Sequence, residues 1–146
     1  MISFDTNILV YTVDEKAGER HRLAADLIRD ARDVPVSLTE QSIFEFVSVV
    51  TRKAKLPLHR AIPYVHELLA TFTLMRPQDT VITDVFALIE RRNLNIFDAR
   101  ILAVCAAHGC THLFSEDLRD GARHGGVAVV DPFNAANAAI IGSSLS

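Results

Sequence analysis

Several features that define large classes of protein are absent from this sequence of 146 residues. No apolar run approaches the ~18 residues that a membrane span needs. No basic segment precedes an apolar stretch, so no secretory signal is expected. Cys105 and Cys110 are the only cysteines, and their spacing is not that of a CxxC pair. They predict neither a disulfide framework nor a zinc site and fit a reducing compartment, so we expect a cytoplasmic protein that does not enter a membrane.

The motifs of several enzyme classes are also missing. The histidines form no HExxH pattern, and Gly109 is expected to break the helix between His108 and His112, which disfavours a zinc site there. Nothing resembles a nucleophile triad, and no glycine-rich phosphate loop occurs. No internal repeat, linker or low-complexity block divides the chain. With this length, the sequence predicts one domain over residues 1–146 with a sizeable core.

The charge balance is slightly negative. Fifteen Lys and Arg residues against 18 Asp and Glu residues give a formal charge of −3. This argues against a nucleic-acid binder that works by bulk charge alone. Apolar residues make up 49% of the chain and charged residues 23%, the balance of a soluble globular protein.

The chain opens on a short strand that ends in a polar triplet. Ile2 and Phe4 alternate with Ser3, and Asp5-Thr6-Asn7 then precedes the apolar run Ile8-Leu9-Val10-Tyr11. A strand, a polar triplet and an apolar helix are typical of the start of an α/β domain. They place Asp5 at the carboxyl end of the strand, where open parallel sheets carry their sites. Taken alone, the acid could equally be a helix N-cap.

Short apolar runs alternate with helically spaced apolar residues along the rest of the chain. Strands are predicted at residues 34–38, 72–75, 111–114 and 127–130, and helices around residues 23–31, 43–54, 61–69, 81–89 and 101–105. Leu58 marks the entry to the third of these helices, with Pro63 in its first turn. The alternation predicts a three-layer α/β/α sandwich with a mostly parallel central sheet. Right-handed crossovers would bring the carboxyl ends of the strands to one edge.

Acidic residues from four separate segments fall at or near this edge: Asp5 after the first strand, Glu45 early in the helix after the second strand, Asp98 at a helix start and Asp117 after the strand at residues 111–114. At ~4 Å, two unit charges repel by about 4 kcal/mol at an effective dielectric of 20. A hard divalent cation would remove that cost, and carboxylate oxygens are the ligands that Mg²⁺ and Mn²⁺ prefer.

Four segments have the order and spacing of a known family: Asp5-Thr6-Asn7-Ile8-Leu9-Val10-Tyr11, Glu45-Phe46 running on to Thr51-Arg52-Lys53, Asn95-Ile96-Phe97-Asp98-Ala99, and Leu113-Phe114-Ser115-Glu116-Asp117-Leu118-Arg119-Asp120-Gly121. With these segments the chain resembles a PIN-domain ribonuclease of the VapC toxin type. The resemblance covers nearly the whole chain and implies a single PIN domain. It also implies Mg²⁺- or Mn²⁺-dependent RNA cleavage, a small cognate antitoxin that blocks the site, and a homodimer.

The resemblance also implies roles for individual residues. Metal would be bound by Asp5, Asp98 and Asp117, with Glu45 acting through a second metal or a water, and a coordinated water would attack the scissile phosphorus. Neutralising these carboxylates would turn the formal charge positive, which is compatible with an RNA substrate. The predicted supporting residues are Thr6, Asn7, Ser115 and Asp120, and the predicted substrate-binding residues are Arg119 and Arg123.

The choice of Glu45 over Glu40 depends on this resemblance. The stretch from Ser42 to Glu45 fits a capping box, which would use the acid at the start of a helix. On a helical wheel, Glu45 lies about 160° from the apolar face of its helix, whereas Glu40 lies about 60° from the centre of that face. Helical geometry alone therefore does not select Glu45.

Other interpretations of these residues remain open at the level of sequence. Asp98 could be only an N-cap, and Asp117 and Asp120 could be ordinary loop acids. Arg100 replaces the apolar residue usual in the family and is expected to point to solvent. A PIN-like module that binds RNA or protein without cleaving is the alternative function. A phospho-acceptor receiver domain is disfavoured because the chain has no lysine after Lys55.

Overall fold

The computed structural model describes residues 1–146 as six strands and seven α-helices. The strands are β1 (Ile2–Phe4), β2 (Ser37–Thr39), β3 (Thr73–Met75), β4 (His112–Phe114), β5 (Arg123–His124) and β6 (Val127–Val130). The helices are α1 (Thr6–Tyr11), α2 (Glu19–Asp30), α3 (Glu40–Arg52), α4 (Leu58–Thr71), α5 (Val81–Arg92), α6 (Ile96–Ala107) and α7 (Ala138–Ser144).

The strands form a mostly parallel central sheet. Four of them are hydrogen-bonded in the order β1-β4-β6-β5, and β2 pairs with β3. A parallel bridge between Ile2 and Val36 places β2 beside β1, and the amide of Ile2 donates to the carbonyl of Pro35 at 3.0 Å. Only β5 runs antiparallel to its neighbour. The predicted parallel sheet is thereby confirmed.

Helices cover both faces of this sheet, which completes the predicted three-layer sandwich. Phe4, Phe114 and Val130 belong to a buried apolar cluster that includes residues of α1, α2, α3 and α4. Leu113 and Val129, the preceding residues of β4 and β6, belong to a second cluster built with α5 and α6. Successive side chains of a strand point to opposite faces, so the two clusters lie on the two sides of the sheet.

The starts of α3 and α6 differ from what the sequence patterns suggested. Thr39 caps α3 and accepts a hydrogen bond from the amide of Ser42 at 3.0 Å, so the capping box from Ser42 to Glu45 does not form. Asn95 caps α6 through the amide of Phe97 at 2.8 Å, so Asp98 lies in the first turn and is not the N-cap. The helix starts therefore use neither acid.

A proline position was predicted wrongly. Pro63 lies inside α4 rather than in its first turn, because the helix begins at Leu58 directly after Pro57. At this interior position Pro63 cannot donate the usual helical hydrogen bond, since proline has no amide hydrogen. The stop predicted after α6 is confirmed: the helix ends at Ala107, and Gly109 adopts a φ of +74°.

Two elements near the end of the chain were not predicted. The short strand β5 turns back through Gly125 and Gly126, both with positive φ. Ile141 of α7 and Leu145, the residue directly after it, pack against the first apolar cluster. A two-residue strand and a seven-residue helix are too short for a clear apolar period. None of the helices has the length and apolar character needed to cross a bilayer.

Candidate active site

Asp5 is the most buried of the four predicted acids, with 4% of its surface exposed. It is the N-cap of α1, and its Oδ1 accepts a hydrogen bond from the amide of Thr6 at 2.6 Å. Its Oδ2 accepts from the hydroxyl of Ser115 at 2.7 Å. The Asp5 amide donates to the carbonyl of Phe114 at 2.9 Å, which joins the ends of β1 and β4. Strand pairing therefore fixes Asp5 next to the loop that carries Ser115.

Glu45 faces this region from α3. Its Oε2 accepts from the hydroxyl of Thr6 at 2.9 Å, and its Oε1 accepts from Nε2 of Gln41, one turn earlier, at 2.6 Å. Glu40, the competing acid on the same helix, instead lies 3.6 Å from Arg76. The tertiary structure therefore brings Glu45, and not Glu40, into contact with the segment that follows β1.

Gln41 is a contact residue of the site that the sequence did not reveal. Besides holding Glu45, its amide donates to the carbonyl of Phe97 at 3.1 Å, and its Oε1 accepts from Arg100 Nη1 at 3.2 Å. Arg100 is therefore half-buried against α3, and the expectation that it points to solvent is wrong. The reason is that α6 crosses near the start of α3, a packing that no local pattern specifies.

Asp117 and Asp98 approach the same region from two further segments. Asp117 lies exposed after β4, where its Oδ2 accepts from Asn7 Nδ2 at 2.6 Å. The hydroxyl of Ser115 accepts from the amide of Asp117 at 3.2 Å while it donates to Asp5. Asp98 is half-buried in the first turn of α6. Ser115 is therefore the shared link between Asp5 and the backbone of Asp117.

Three of the acids line one open cleft with a volume of about 500 Å³. Its lining residues are Glu45, Ser48, Val49, Arg52, Asn95, Phe97, Asp98 and Asp117. Asp5 does not line the cleft, but the charges of Asp98 and Asp117 act on its carboxylate. The fold has thus gathered acids that lie as far apart in the sequence as residues 5 and 117.

Burial and mutual repulsion disfavour the charged forms of these acids. Desolvation raises the pKa of Asp5 from 3.8 to about 6, and the charges of Asp117 and Asp98 add to this effect. The hydrogen bonds from Ser115 and Thr6 oppose the rise without cancelling it. At neutral pH an ionised Asp5 is therefore held at an energetic cost that a nearby cation would reduce.

Asp98 and Asp117 are perturbed in the same direction. Burial, followed by the charges of Asp117 and Glu45, raises the pKa of Asp98. Partial desolvation and the charge of Glu116 raise the pKa of Asp117, and the hydrogen bond from Asn7 opposes that rise. Three clustered carboxyl groups with raised pKa values are characteristic of functional sites.

The donor set has the chemistry of a site for a hard divalent cation. All four side chains offer carboxylate oxygens, the ligands that suit Mg²⁺ and Mn²⁺. In this conformation no three His, Cys, Asp or Glu side chains are grouped so that they could hold a metal ion. Asp5 is hydrogen-bonded to Ser115, and Asp117 to Asn7. The residue types of the four acids fit such a cation.

Asp120, predicted as a supporting residue, is bonded to the C-terminal segment. Its carboxylate accepts from the amide of Asp131 at 2.9 Å and from the side-chain amides of Asn134 and Asn137 at 2.9 Å. These hydrogen bonds lower the pKa of Asp120. Any support that Asp120 gives to the site therefore passes through the loop that it anchors.

Replacing Asp120 by alanine is expected to lower the free energy of unfolding by about 2 kcal/mol, because buried Asn137 would lose its carboxylate partner. For a chain of this size that corresponds to a fall in Tm of about 4–8 °C. Thermal melts of Asp120→Ala and Asp120→Asn measure it, with Asp79→Ala as a control, since Asp79 is exposed and makes no side-chain hydrogen bond. An unchanged melt for Asp120→Ala would contradict the anchoring role.

The predicted phosphate-binding arginines are not part of the acidic cleft. Arg119 and Arg123 are exposed, and neither lines it. Arg52 does line the cleft, and the charge of Lys53 acts to lower the pKa of Asp117. Contact of Arg119 and Arg123 with substrate remains a prediction, whereas Arg52 and Lys53 are basic residues near the acids.

Comparison with known proteins identifies the class to which this fold and site belong. The sequence matches the family model of the PIN domain over residues 2–124. The chain therefore belongs to the PIN domain family. Comparison with curated proteins gives no match.

Solved structures of toxins and toxin–antitoxin complexes share the fold. VapC20 of Mycobacterium tuberculosis, described as a Sarcin-Ricin loop cleaving toxin, is 16% identical with a TM-score of 0.66, covering 79% of this chain and 88% of that one. A toxin–antitoxin complex from Klebsiella pneumoniae is 24% identical with a TM-score of 0.66, covering 91% and 98%. VapBC2 from Rickettsia felis, bound to a promoter DNA fragment, is 15% identical with a TM-score of 0.64, covering 88% and 97%. At these identities the likeness concerns the fold.

Proposed function

We propose that this PIN-domain protein is a metal-dependent endoribonuclease and the toxin of a toxin–antitoxin pair. The observation that carries the proposal is the gathering of Glu45, Asp98 and Asp117 around one cleft, with Asp5 buried beside them under the influence of their charges. Membership of the PIN family supports nuclease chemistry, and the toxins among the structural neighbours support the biological role.

In this proposal Asp5, Asp98 and Asp117 would hold Mg²⁺ or Mn²⁺, with Glu45 acting through a water or a second ion. When bound, the ion lowers the pKa of a coordinated water and stabilises charge on the phosphoryl oxygens of RNA. Hydrogen bonds within the protein hold two of these acids in place: Ser115 and the amide of Thr6 hold Asp5, and the hydroxyl of Thr6 holds Glu45. Such supporting hydrogen bonds fix the direction of ligand oxygens.

The remaining parts of the proposal concern partners and setting. We propose a small antitoxin protein that blocks the cleft and a homodimer as the active assembly. The neighbours that are toxin–antitoxin complexes support the first of these. We further propose that residues 1–146 form a single PIN domain that acts in the cytoplasm, and packing of Ile141 and Leu145 on the main core supports the single domain.

A matched pair of variants on α3 tests the function. Glu45→Gln should lower Mn²⁺-dependent RNA cleavage by about 100-fold, the upper end of what loss of a group beside a metal costs. Glu40→Gln, the same chemical change on the same helix, should leave cleavage close to that of the parent, because Glu40 faces Arg76 outside the cleft. Cleavage of labelled RNA is measured with Mn²⁺, with Mg²⁺ and with EDTA.

Two results would contradict the proposal. Equal cleavage by Glu45→Gln and the parent, or loss of cleavage only in Glu40→Gln, would remove Glu45 from the site. If the parent binds RNA but does not cleave it with either metal at pH 8, the chain is a PIN-like binding module and not a nuclease.

A further inference from the structure

Glu116 lies between Ser115 and Asp117 and has no assigned role. Its Oε1 accepts a hydrogen bond from the hydroxyl of Tyr11, and its Oε2 accepts from Nε of Arg20 at 2.9 Å. Only 15% of the Glu116 side chain is exposed, compared with 51% of the Arg20 side chain. Both carboxylate oxygens of a mostly buried acid are therefore satisfied by residues about a hundred positions away in the sequence.

An aromatic ring from the C-terminal segment completes this arrangement. The ring of Phe133 meets the ring of Tyr11 edge-on with centroids 5.6 Å apart. The guanidinium of Arg20 lies 5.0 Å from the centroid of the same Phe133 ring, within the range of a cation–π contact. We call Tyr11, Arg20, Glu116 and Phe133 the Glu116 clamp. The clamp joins α1, α2, the loop after β4 and the segment after β6.

The clamp acts on the part of the loop that carries the acidic site. Glu116 is bonded to Tyr11 and its neighbour Asp117 to Asn7, and these two partners lie four residues apart on the same face of α1. On the other side, the Ser115 hydroxyl is bonded to Asp5. Three consecutive loop residues are thus tied to α1 and to the residue that caps it.

The partners are chemically suited to a permanent contact. Burial, together with the neighbouring Glu116 carboxylate, raises the pKa of Tyr11 to about 12, so its hydroxyl remains a donor. Arg20 supplies a charge that is always present and compensates the Glu116 carboxylate. The contact therefore does not depend on a change of protonation near neutral pH.

From this geometry we infer that Glu116 is a positioning residue: through Tyr11 and Arg20 it fixes where Asp117 lies relative to Asp5, without itself contacting RNA. The expected effect on kcat rests on the proposed nuclease function. The expected effect on the position and order of the loop does not depend on that function. A group that orients the ligands of a site affects turnover and ion binding more than it affects the fold.

The test compares Glu116→Ala with Glu116→Gln. The alanine variant should lose about 10- to 100-fold in kcat with a much smaller change in KM, because the cleft that binds substrate is kept while the acid is misplaced. The glutamine variant should recover part of kcat, since its side-chain carbonyl can still accept from Tyr11. In thermal melts, the Mn²⁺ concentration that gives half of the maximal rise in Tm should be higher for Glu116→Gln than for the parent. It should be highest for Glu116→Ala.

Hydrogen exchange supplies a readout that does not depend on activity. The amides of Asp117 and Leu118 donate to the Ser115 hydroxyl, and Glu116→Ala should speed their exchange while amides of the central strands stay protected. The matched control is Glu19→Gln, since Glu19 pairs with Arg22 on α2 outside the clamp. It should change neither kcat nor this exchange.

Tyr11→Phe keeps the ring that packs on Phe133 and removes only the hydroxyl, so it tests the inference if Glu116→Ala fails to fold. Its kcat and the protection of the Asp117 and Leu118 amides should both fall, but by less than in Glu116→Ala. A folded Tyr11→Phe or Glu116→Ala protein with parental protection at Asp117 and Leu118 would overturn the inference. If the parent does not cleave RNA, the exchange result still decides the inference while the proposed function fails.

Discussion

Replacing Asp98 by asparagine is expected to lower RNA cleavage by orders of magnitude while the fold is preserved. Asn95, and not Asp98, caps α6, so the substitution removes no cap and keeps the size of the side chain. It removes one charge from a group of carboxylates that face one cleft. A metal site that loses a charged ligand loses affinity for the ion and the electrostatic stabilisation that the ion supplies.

The same variant should be at least as stable as the parent in the absence of metal at pH 8. The pKa of Asp98 is raised by burial and by the charges of Asp117 and Glu45. The ionised carboxylate therefore destabilises the metal-free fold. Removing that charge relieves the repulsion. Loss of activity combined with an unchanged or higher Tm separates a catalytic effect from unfolding.

Cleavage assays measure the loss of activity, circular dichroism checks that the fold is preserved, and thermal melts in EDTA measure the Tm. Asp79→Asn is the matched control, because Asp79 is an exposed acid just before α5 and contributes nothing to the cleft. Parental cleavage by Asp98→Asn would remove the basis for assigning this acid to the site.

The second large effect concerns the dependence of stability on pH and metal. Asp5 has a folded pKa of about 6, raised from 3.8 mainly by desolvation. A raised folded pKa means that the native protein binds the proton more tightly than the unfolded chain does. Its contribution to stability is therefore fully present below pH ~4 and is lost as the pH rises through about 6. The loss amounts to about 3 kcal/mol.

Metal should oppose that loss over the same range of pH. The cation competes with the proton and removes the repulsion among Asp5, Asp98 and Asp117, so it should stabilise the protein more at pH 8 than near pH 5.5. At a metal concentration 100 times Kd, linkage gives about 2.7 kcal/mol, equivalent to a rise in Tm of about 5–10 °C. Because the acids interact, they titrate as a group.

Thermal melts in EDTA, Mg²⁺ and Mn²⁺ at pH 5.5 and 8 measure both effects. Asp5→Asn keeps the ability to cap α1 but cannot titrate, so its melt in EDTA should depend less on pH than that of the parent. If metal gives no stabilisation at pH 8 and Asp5→Asn leaves the EDTA melt unchanged, the carboxylates do not act as one site. The nuclease proposal would then lose its physical support.

Local sequence features were sufficient to predict the parallel strands and most of the helices. The strands β1, β4 and β6 are mostly apolar because both faces of a parallel sheet are buried, and that property is visible in a few neighbouring residues. The position of Asp5 follows in the same way, since the strand ends where Asp5-Thr6-Asn7 begins. Membership of the PIN family was also predicted from the sequence, through four spaced segments, and is confirmed.

The sequence was less informative where one residue could serve two local purposes. Asp98 was a plausible helix cap, and Ser42 with Glu45 a plausible capping box; the structure shows that Asn95 and Thr39 take those roles. The N-cap is the residue at which the backbone enters the helix. A shift of a few residues in that position makes a different side chain the cap.

Side chains that meet from distant segments were decided only by the tertiary structure. On the helical wheel, Glu40 lies closer than Glu45 to the apolar face of α3. In the structure β1 and β2 are neighbours, and the Thr6 hydroxyl donates a hydrogen bond to Glu45. The contact of Arg100 with Gln41 and that of Glu116 with Tyr11 have the same origin.

The sequence by itself therefore determined which segments carry acids and which strands or helices those acids adjoin, because those properties are local. Only packing determined which acids share a cleft and which residues hold them, because hydrogen bonds between residues 39 to 110 positions apart depend on where each helix crosses the sheet.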